Sequence, residues 1–389
     1  MSKILIPGSK SLMARALILA SIRKGKTAIN NPLICEDSKN LIKALRNLGI
    51  KIEQKNNSQI TVYGLGKTLK APPKNLNIGN SGTAIRFLIP ILATQNFTSR
   101  ITGNPQMQKR PMHDIIEALQ KIGIKITSQN GYPPLTIYGN PKIHPKEIPI
   151  KGNVSSQFIS GLLMAAPLFN NPKIKIIGNV VSKPYIEITK EIIRKFDSPY
   201  TIETDASSAS YFFALGALGF KIKVLNISRK SLQADIKLLD YLEKMNCTIE
   251  EDREGIQVIG PTELQPLGKV NLKNLPDSAM TLATLACFAN GKSTLTGLSN
   301  LRFKETNRLH ALKTELSKIG AKVKELKDGL SIEGTNNFKS ATIETYNDHR
   351  MAMCAGVLKS QIPGIKILNS SCIKKTYPEF WQDFDNANK

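Results

Sequence analysis

One pattern recurs four times along the 389 residues of this chain. An amphipathic helix ends, Gly or Asn follows, then come a strand, a turn, a second strand and a closing Gly. It runs as Leu48-Gly-Ile-Lys-Ile to Ile60-Thr-Val-Tyr-Gly64 and as Ile122-Gly-Ile-Lys-Ile to Leu135-Thr-Ile-Tyr-Gly139. It returns as Met245-Asn-Cys-Thr-Ile to Ile256-Gln-Val-Ile-Gly260 and as Ile319-Gly-Ala-Lys-Val to Leu330-Ser-Ile-Glu-Gly334. Gly or Asn after the last apolar helical residue is a C-cap signal, and the alternation that follows is a strand signal. Gly64 to Gly139 spans 75 residues and Gly260 to Gly334 spans 74, whereas Gly139 to Gly260 spans 121. The long gap has room for a further unit whose closing hairpin is shortened near Phe196 to Thr204. A unit of strands and helices repeated about six times accounts for the spacing. Antiparallel hairpins interleaved with helices predict an α+β fold, not a doubly wound sheet.

The chemistry gathers where these helices begin. Asn300-Leu-Arg-Phe-Lys304-Glu305-Thr-Asn-Arg308 runs into a helix marked by Leu309, Leu312, Leu316 and Ile319. Backbone N–H groups and the dipole at a helix start already favour anions, so cations added there suit a multiply charged anion. Glu305 supplies a proton donor or acceptor beside them. Pro7-Gly-Ser-Lys10-Ser11 with Arg15 repeats the logic, as does Asn80-Ser-Gly82-Thr83 with Arg86. Gln106 to Pro111 carries Lys109-Arg110 to a proline, and Asp348-His349-Arg350 opens another helix. Ser155-Ser156-Gln157 stands where caps stand, which leaves capping and ligand contact both open. Asp277, in Pro276-Asp277-Ser278 before an apolar run from Met280 to Phe288, reads equally as an N-cap or as a general base. Six of the 12 arginines (Arg15, Arg86, Arg110, Arg302, Arg308, Arg350) fall at helix starts in a chain otherwise rich in lysine. That placement suggests bidentate anion binding.

Bulk properties narrow the classes. The length suits two domains, and 41% hydrophobic with 22% charged residues is ordinary for a globular protein. No run of about 18 apolar residues marks a membrane span. The net charge of +24 would suit nucleic acid, but the lysines are dispersed and no basic stretch is interleaved with aromatics, so no nucleic-acid partner is expected. Five scattered cysteines and four unclustered histidines predict neither disulfides nor a metal. An N-terminus that enters structure at once points to the cytoplasm. Neither a GxGxxG fingerprint nor a GxxxxGK[ST] loop is present.

In one order, the segments PGSKS to Arg15, NSGTAIR, KRP, SSQF, SKPY, DASSAS, PDSAMT, NLRFKETNR, YNDHRMAM and KKTYP resemble the 5-enolpyruvylshikimate-3-phosphate synthase family of enolpyruvyl transferases. The resemblance covers nearly the whole chain. It implies two domains, each of three βαβαββ repeats, that close over the substrates: residues 9–203, and residues 204–389 completed by the strand in 1–8. It implies transfer of the enolpyruvyl group of phosphoenolpyruvate to shikimate 3-phosphate with release of phosphate, by a monomer, without cofactor or metal, and inhibition by glyphosate. By the same resemblance Lys10, Ser11, Arg15, Ser155, Ser156, Gln157, Ser182, Tyr185, Asp277, Asn300 and Lys304 contact shikimate 3-phosphate. Lys10, Gly82, Arg110, Gln157, Arg308, Arg350 and Lys375 contact phosphoenolpyruvate. Asp277 takes the 5-hydroxyl proton, Glu305 protonates the methylene carbon, and Lys10 or Lys375 assists the departing phosphate.

Four departures from the family pattern stand out. Asn307 replaces an Asp that could orient Arg308, Phe87 replaces a common proline, Met13-Ala14 replace a polar pair, and the stretch from Arg194 to Asp205 is short. Two rivals remain: the sister transferase acting on UDP-N-acetylglucosamine, and a basic nucleic-acid-binding protein of related fold. The sister family carries a cysteine before its Arg-Pro, and Gly103 to Arg110 contains none.

Overall fold

The structure, a computed structural model, describes residues 1–56 and 58–387. The chain divides into two compact units, one of Gly8–Ile202 and one of Met1–Pro7 with Glu203–Lys389. Each has its own apolar core: Leu12 through Ile202 in the first, and Ile4, Ile6 and Ala206 through Ala387 in the second.

The Gly8–Ile202 unit carries helices α1 (Lys10–Ile22), α2 (Glu36–Asn47), α3 (Gly82–Ala93), α4 (His113–Lys121), α5 (Ser156–Ala165) and α6 (Lys183–Lys195). One of its sheets orders the strands Tyr200–Thr201, Lys24–Asn30, Gln59–Leu65 and Lys51–Asn56. A second orders Leu76–Asn77, Thr98–Thr102, Tyr132–Tyr138 and Lys125–Gln129, and a parallel pair joins Glu147–Lys151 to Lys173–Ile177. The other unit carries α7 (Ala206–Ala217), α8 (Leu238–Lys244), α9 (Ala279–Ala286), α10 (Arg308–Lys318), α11 (His349–Gln361) and α12 (Phe380–Ala387). Its sheets order Ser2–Leu5, Ile222–Leu225, Gly255–Ile259 and Thr248–Glu251, then Gly268–Asn271, Lys292–Thr296, Gly329–Glu333 and Lys322–Leu326. A parallel pair, Thr342–Ile343 with Lys366–Ile367, completes it.

All four predicted hairpins form, and each lies at the same edge of a four-stranded sheet. In each of those sheets the first two strands run parallel and the hairpin closes antiparallel. The shortened stretch near 196–204 keeps only Tyr200–Thr201 as strand, paired with Ile29 and Asn30. Among the described residues the third sheet of each unit is a parallel pair. Helices α3, α7 and α9 are buried on every face, as sequences without a polar stripe require. In the first unit α1, α3 and α5 pack on one another, and in the second α9 packs on α7, α10 and α11. Several helices that begin at candidate residues, α1, α3, α5, α10 and α11, thus pack against other helices of their unit. The five cysteines are all free, and among the described residues no helix is long and apolar enough to cross a membrane.

Candidate active site

In the Gly8–Ile202 unit, Lys10 opens α1, and its ammonium lies 3.3 Å from the buried carboxylate of Asp37, in the first turn of α2. Arg15 is only 1% exposed. Its Nε donates to Thr189 Oγ1 (2.8 Å), and its Nη1 donates to the Ser11 carbonyl (2.9 Å) and hydroxyl (2.7 Å). Nη2 donates to the Tyr185 carbonyl (3.2 Å) and the Ser160 hydroxyl (3.3 Å). Burial lowers its pKa to about 10, against the opposing pull of Tyr185 and Tyr200, so the group stays cationic at neutral pH. The guanidinium also lies over the Phe87 ring at 5.2 Å. Ser182 occupies the N-cap position of α6 in a left-handed backbone conformation (φ +54°), and its carbonyl accepts the Tyr185 N–H at 3.1 Å. Ser11, Arg15 and Tyr185 therefore share one hydrogen-bonded cluster, with Ser182 attached through Tyr185.

A second cluster forms where α3 and α5 begin. A Cβ on Gly82 would fall 2.5–2.7 Å from the guanidinium of Arg110. Only glycine lets that buried guanidinium lie against the first residue of α3. The Gln157 side chain is held from both ends: its carbonyl oxygen accepts from Arg86 Nη1 (2.7 Å), and its amide donates to Thr83 Oγ1 (3.0 Å). Ser155 caps α5, its hydroxyl accepting the Gln157 N–H at 3.3 Å. Arg86 itself stacks over Phe158 at 5.2 Å.

In the other unit the centre is Asp277. Its Oδ1 lies 3.3 Å from Lys304 Nζ and 3.2 Å from Arg308 Nη1, and its Oδ2 lies 3.2 Å from Arg350 Nη2. Ser278, not Asp277, occupies the N-cap of α9, and its hydroxyl donates to the buried Asp235 at 2.6 Å. Asp277 thus stands one residue outside the N-cap position, and its carboxylate serves three cations. Arg308, 1% exposed, donates from Nε to Asp348 Oδ2 (2.7 Å) and from Nη2 to Asp348 Oδ1 (3.1 Å) and Glu305 Oε2 (2.8 Å). Lys375 Nζ stands 3.7 Å from Glu305 Oε1. Asp348 also caps α11 by accepting the Arg350 N–H at 2.9 Å. Burial opposes the charge on Arg308, but Asp348, Glu305 and Asp277 outweigh it and raise its pKa above the ordinary value. Arg350 is raised too: burial works against its charge, and Asp277 foremost works for it. Two permanently cationic guanidiniums thus flank one carboxylate, with a second carboxylate and a lysine beside them. Such a set can grip an anion and move protons next to it.

A family model described as EPSP synthase (3-phosphoshikimate 1-carboxyvinyltransferase) matches residues 1–199 and 197–384. The chain belongs to the EPSP synthase family. The 3-phosphoshikimate 1-carboxyvinyltransferase of Tolumonas auensis is 40% identical over 411 aligned residues, covering 99% of this chain and 96% of that protein. The enzyme of the same name from Buchnera aphidicola is 39% identical over 409, covering 98% and 95%. The EPSP synthase structure from Acinetobacter baumannii superposes with a TM-score of 0.77 at 26% identity, covering 99% of this chain and 95% of that one. The match does not favour the UDP-N-acetylglucosamine transferase or the nucleic-acid reading.

Against the residues that the EPSP synthase resemblance implies, the structure groups Lys304, Glu305, Arg308, Arg350 and Lys375 around or next to Asp277. Asn300 is buried in the short turn Ser299–Phe303 just ahead of them. Arg302 does not join: its guanidinium pairs with Glu325 and the Leu326 carbonyl, so this arginine is a structural tie and not an anion ligand. Asn307 caps α10 through the His310 N–H (3.3 Å), and Asp348 does the orienting of Arg308 that the missing Asp was expected to do. Phe87 is fully buried beneath Arg15. Sequence reading named Asp348 only as part of a charged helix start and missed Asp37, Thr189 and Ser160 altogether. Each is a polar residue inside an otherwise unremarkable helix or cap, so only the fold discloses its partner.

Proposed function

We propose that this chain transfers the enolpyruvyl group of phosphoenolpyruvate to the 5-hydroxyl of shikimate 3-phosphate, releasing phosphate. Family membership supports the reaction, and the geometry at Asp277 supports the division of labour. Each substrate carries a phosphate of about −1.5 to −2 and a carboxylate, which suits clusters built from arginine and lysine. In this reading Lys10, Ser11, Arg15, Ser155, Ser156, Gln157, Ser182 and Tyr185, with Asn300 and Lys304, hold shikimate 3-phosphate. Gly82, Arg110, Gln157, Arg308, Arg350 and Lys375, with Lys10, hold phosphoenolpyruvate.

The chemistry balances as an addition followed by an elimination. Glu305 gives a proton to the methylene carbon, the 5-hydroxyl oxygen bonds to the neighbouring carbon, and Asp277 takes the hydroxyl proton. Glu305, left as a carboxylate by the first step, then takes a proton back from the methyl group, restoring the double bond as the C–O bond to phosphate breaks, with Lys10 or Lys375 stabilising the leaving anion. The observation that carries the assignment is the triple contact on Asp277: Lys304 and Arg308 fix Oδ1 and Arg350 fixes Oδ2, so the carboxylate is oriented. The same reading has the protein acting as a cytoplasmic monomer, with glyphosate competing against phosphoenolpyruvate. Purified protein mixed with both substrates should release inorganic phosphate. A mixture that releases none across pH 5–9 rejects the proposal.

A further inference from the structure

Arg308 opens α10, and Glu315 lies seven residues later, two turns along the same helix face. Glu315 is 1% exposed, deeper than an unpartnered carboxylate tolerates. Its Oε2 accepts the Glu344 N–H (3.0 Å) and the Lys318 ammonium (2.5 Å), and its Oε1 accepts the Tyr346 hydroxyl (2.8 Å). Glu344 Oε1 in turn accepts the Tyr346 N–H at 2.9 Å. These bonds converge on an unusual piece of backbone, because Tyr346 and Asn347 both stand at φ +53°. A bulky residue in the left-handed region persists only where its surroundings enforce it. The next residue is Asp348, which grips Arg308 and caps α11, and two residues on is Arg350, which reaches Asp277. The turn therefore delivers both the residue that orients Arg308 and the second arginine of the cluster. Along one face, α10 ties to this loop at Arg308 and again at Glu315.

We infer that Glu315 is a positioning residue for the arginine pair: by holding Glu344 and Tyr346 it sets the left-handed turn that brings Asp348 to Arg308 and Arg350 to Asp277. The inference rests on the proposed function for its kinetic consequence, since Arg308 and Arg350 are there the ligands of phosphoenolpyruvate. A carboxylate that merely packed would, when neutralised, lower stability and leave the two substrates equally affected. A positioning residue separates them.

The test uses the full chain with Glu315→Gln, which keeps the shape and removes the charge. The KM for phosphoenolpyruvate should rise about tenfold, the scale of one lost charged hydrogen bond, while the Kd for shikimate 3-phosphate alone, by calorimetry, stays within about twofold. Tyr346→Phe, which deletes a single hydroxyl, should shift the same KM in the same direction by about threefold. A folded Glu315→Gln protein with an unchanged KM, or with both substrates weakened equally, overturns the inference. Should Glu315→Gln fail to fold, an unchanged KM in Tyr346→Phe does the same. A crystal structure of either variant gives a readout free of turnover. Residues 344–350 keeping their backbone angles and the Arg350–Asp277 contact in Glu315→Gln overturns the inference, whether or not the wild type releases phosphate. A wild type that releases none counts against the functional reading separately.

Discussion

Replacing Asp277 by Asn separates proton transfer from anion binding, because the two roles respond with different signs. The amide keeps the volume of the carboxylate, and its oxygen can still accept from Lys304 and Arg308, now 3.3 and 3.2 Å from Oδ1. Its NH2 would then face Arg350 Nη2, which stands 3.2 Å from Oδ2, donor against donor. The structural penalty is one lost charged hydrogen bond, about 1.5–3 kcal/mol. As general base the carboxylate should contribute about 10²–10⁴-fold, which is about 2.7–5.4 kcal/mol of barrier at 1.36 kcal/mol per decade. The kinetic effect is the larger, so kcat should fall at least about 100-fold while the protein stays folded. The KM for phosphoenolpyruvate should not rise by more than about threefold. Asp277 competes with the incoming anion for Arg308 and Arg350, and its loss removes a negative charge from between them. Steady-state phosphate release with each substrate varied in turn reads both numbers. A kcat within threefold of wild type removes Asp277 as the base. An intact kcat with a KM raised more than tenfold would make it only an orienting group for the two arginines.

Two further substitutions probe the Gly8–Ile202 unit. Gly82→Ala puts a methyl group into the guanidinium of Arg110, 2.5–2.7 Å from the new carbon, so Arg110 must move; the KM for phosphoenolpyruvate should rise about tenfold with Tm within a few degrees, and an unchanged KM would show that Arg110 is not its ligand. Arg15→Ala removes a guanidinium with five internal acceptors. It should weaken shikimate 3-phosphate by about 1.5–3 kcal/mol and lower stability by about 2–4 kcal/mol, the latter because the Ser11 and Tyr185 carbonyls lose a donor while Thr189 and Ser160 can still bond each other. Calorimetry and urea unfolding measure the two effects, and unchanged affinity in a destabilised protein would leave Arg15 a purely structural tie.

How much of this was legible in the sequence depended on how local each signal is. The hairpins were, because helix end, Gly or Asn, and alternation lie within about twenty residues of one another, and all four appear where the repeat places them. The candidate clusters were legible as motifs but not as geometry. Arg302 and Arg308 look alike in the string, both arginines near the start of α10, yet one pairs with Glu325 on a strand edge and the other sits among three carboxylates. Asp277 read equally as a cap or as a base until the fold put Ser278 at the N-cap position and Lys304, Arg308 and Arg350 on the Asp277 carboxylate. Asp348 is the sharpest case. As a residue before a helix it reads as a cap, and it is one, but its second oxygen closes on Arg308 from 40 residues away. A cap needs only one acceptor per N–H, and a carboxylate has two oxygens with several lone pairs. Where such a cap is buried and its helix start carries arginine, the spare acceptor is free to orient a guanidinium. Asp348 is therefore a cap that does two jobs, and only the first of those jobs is written in local sequence.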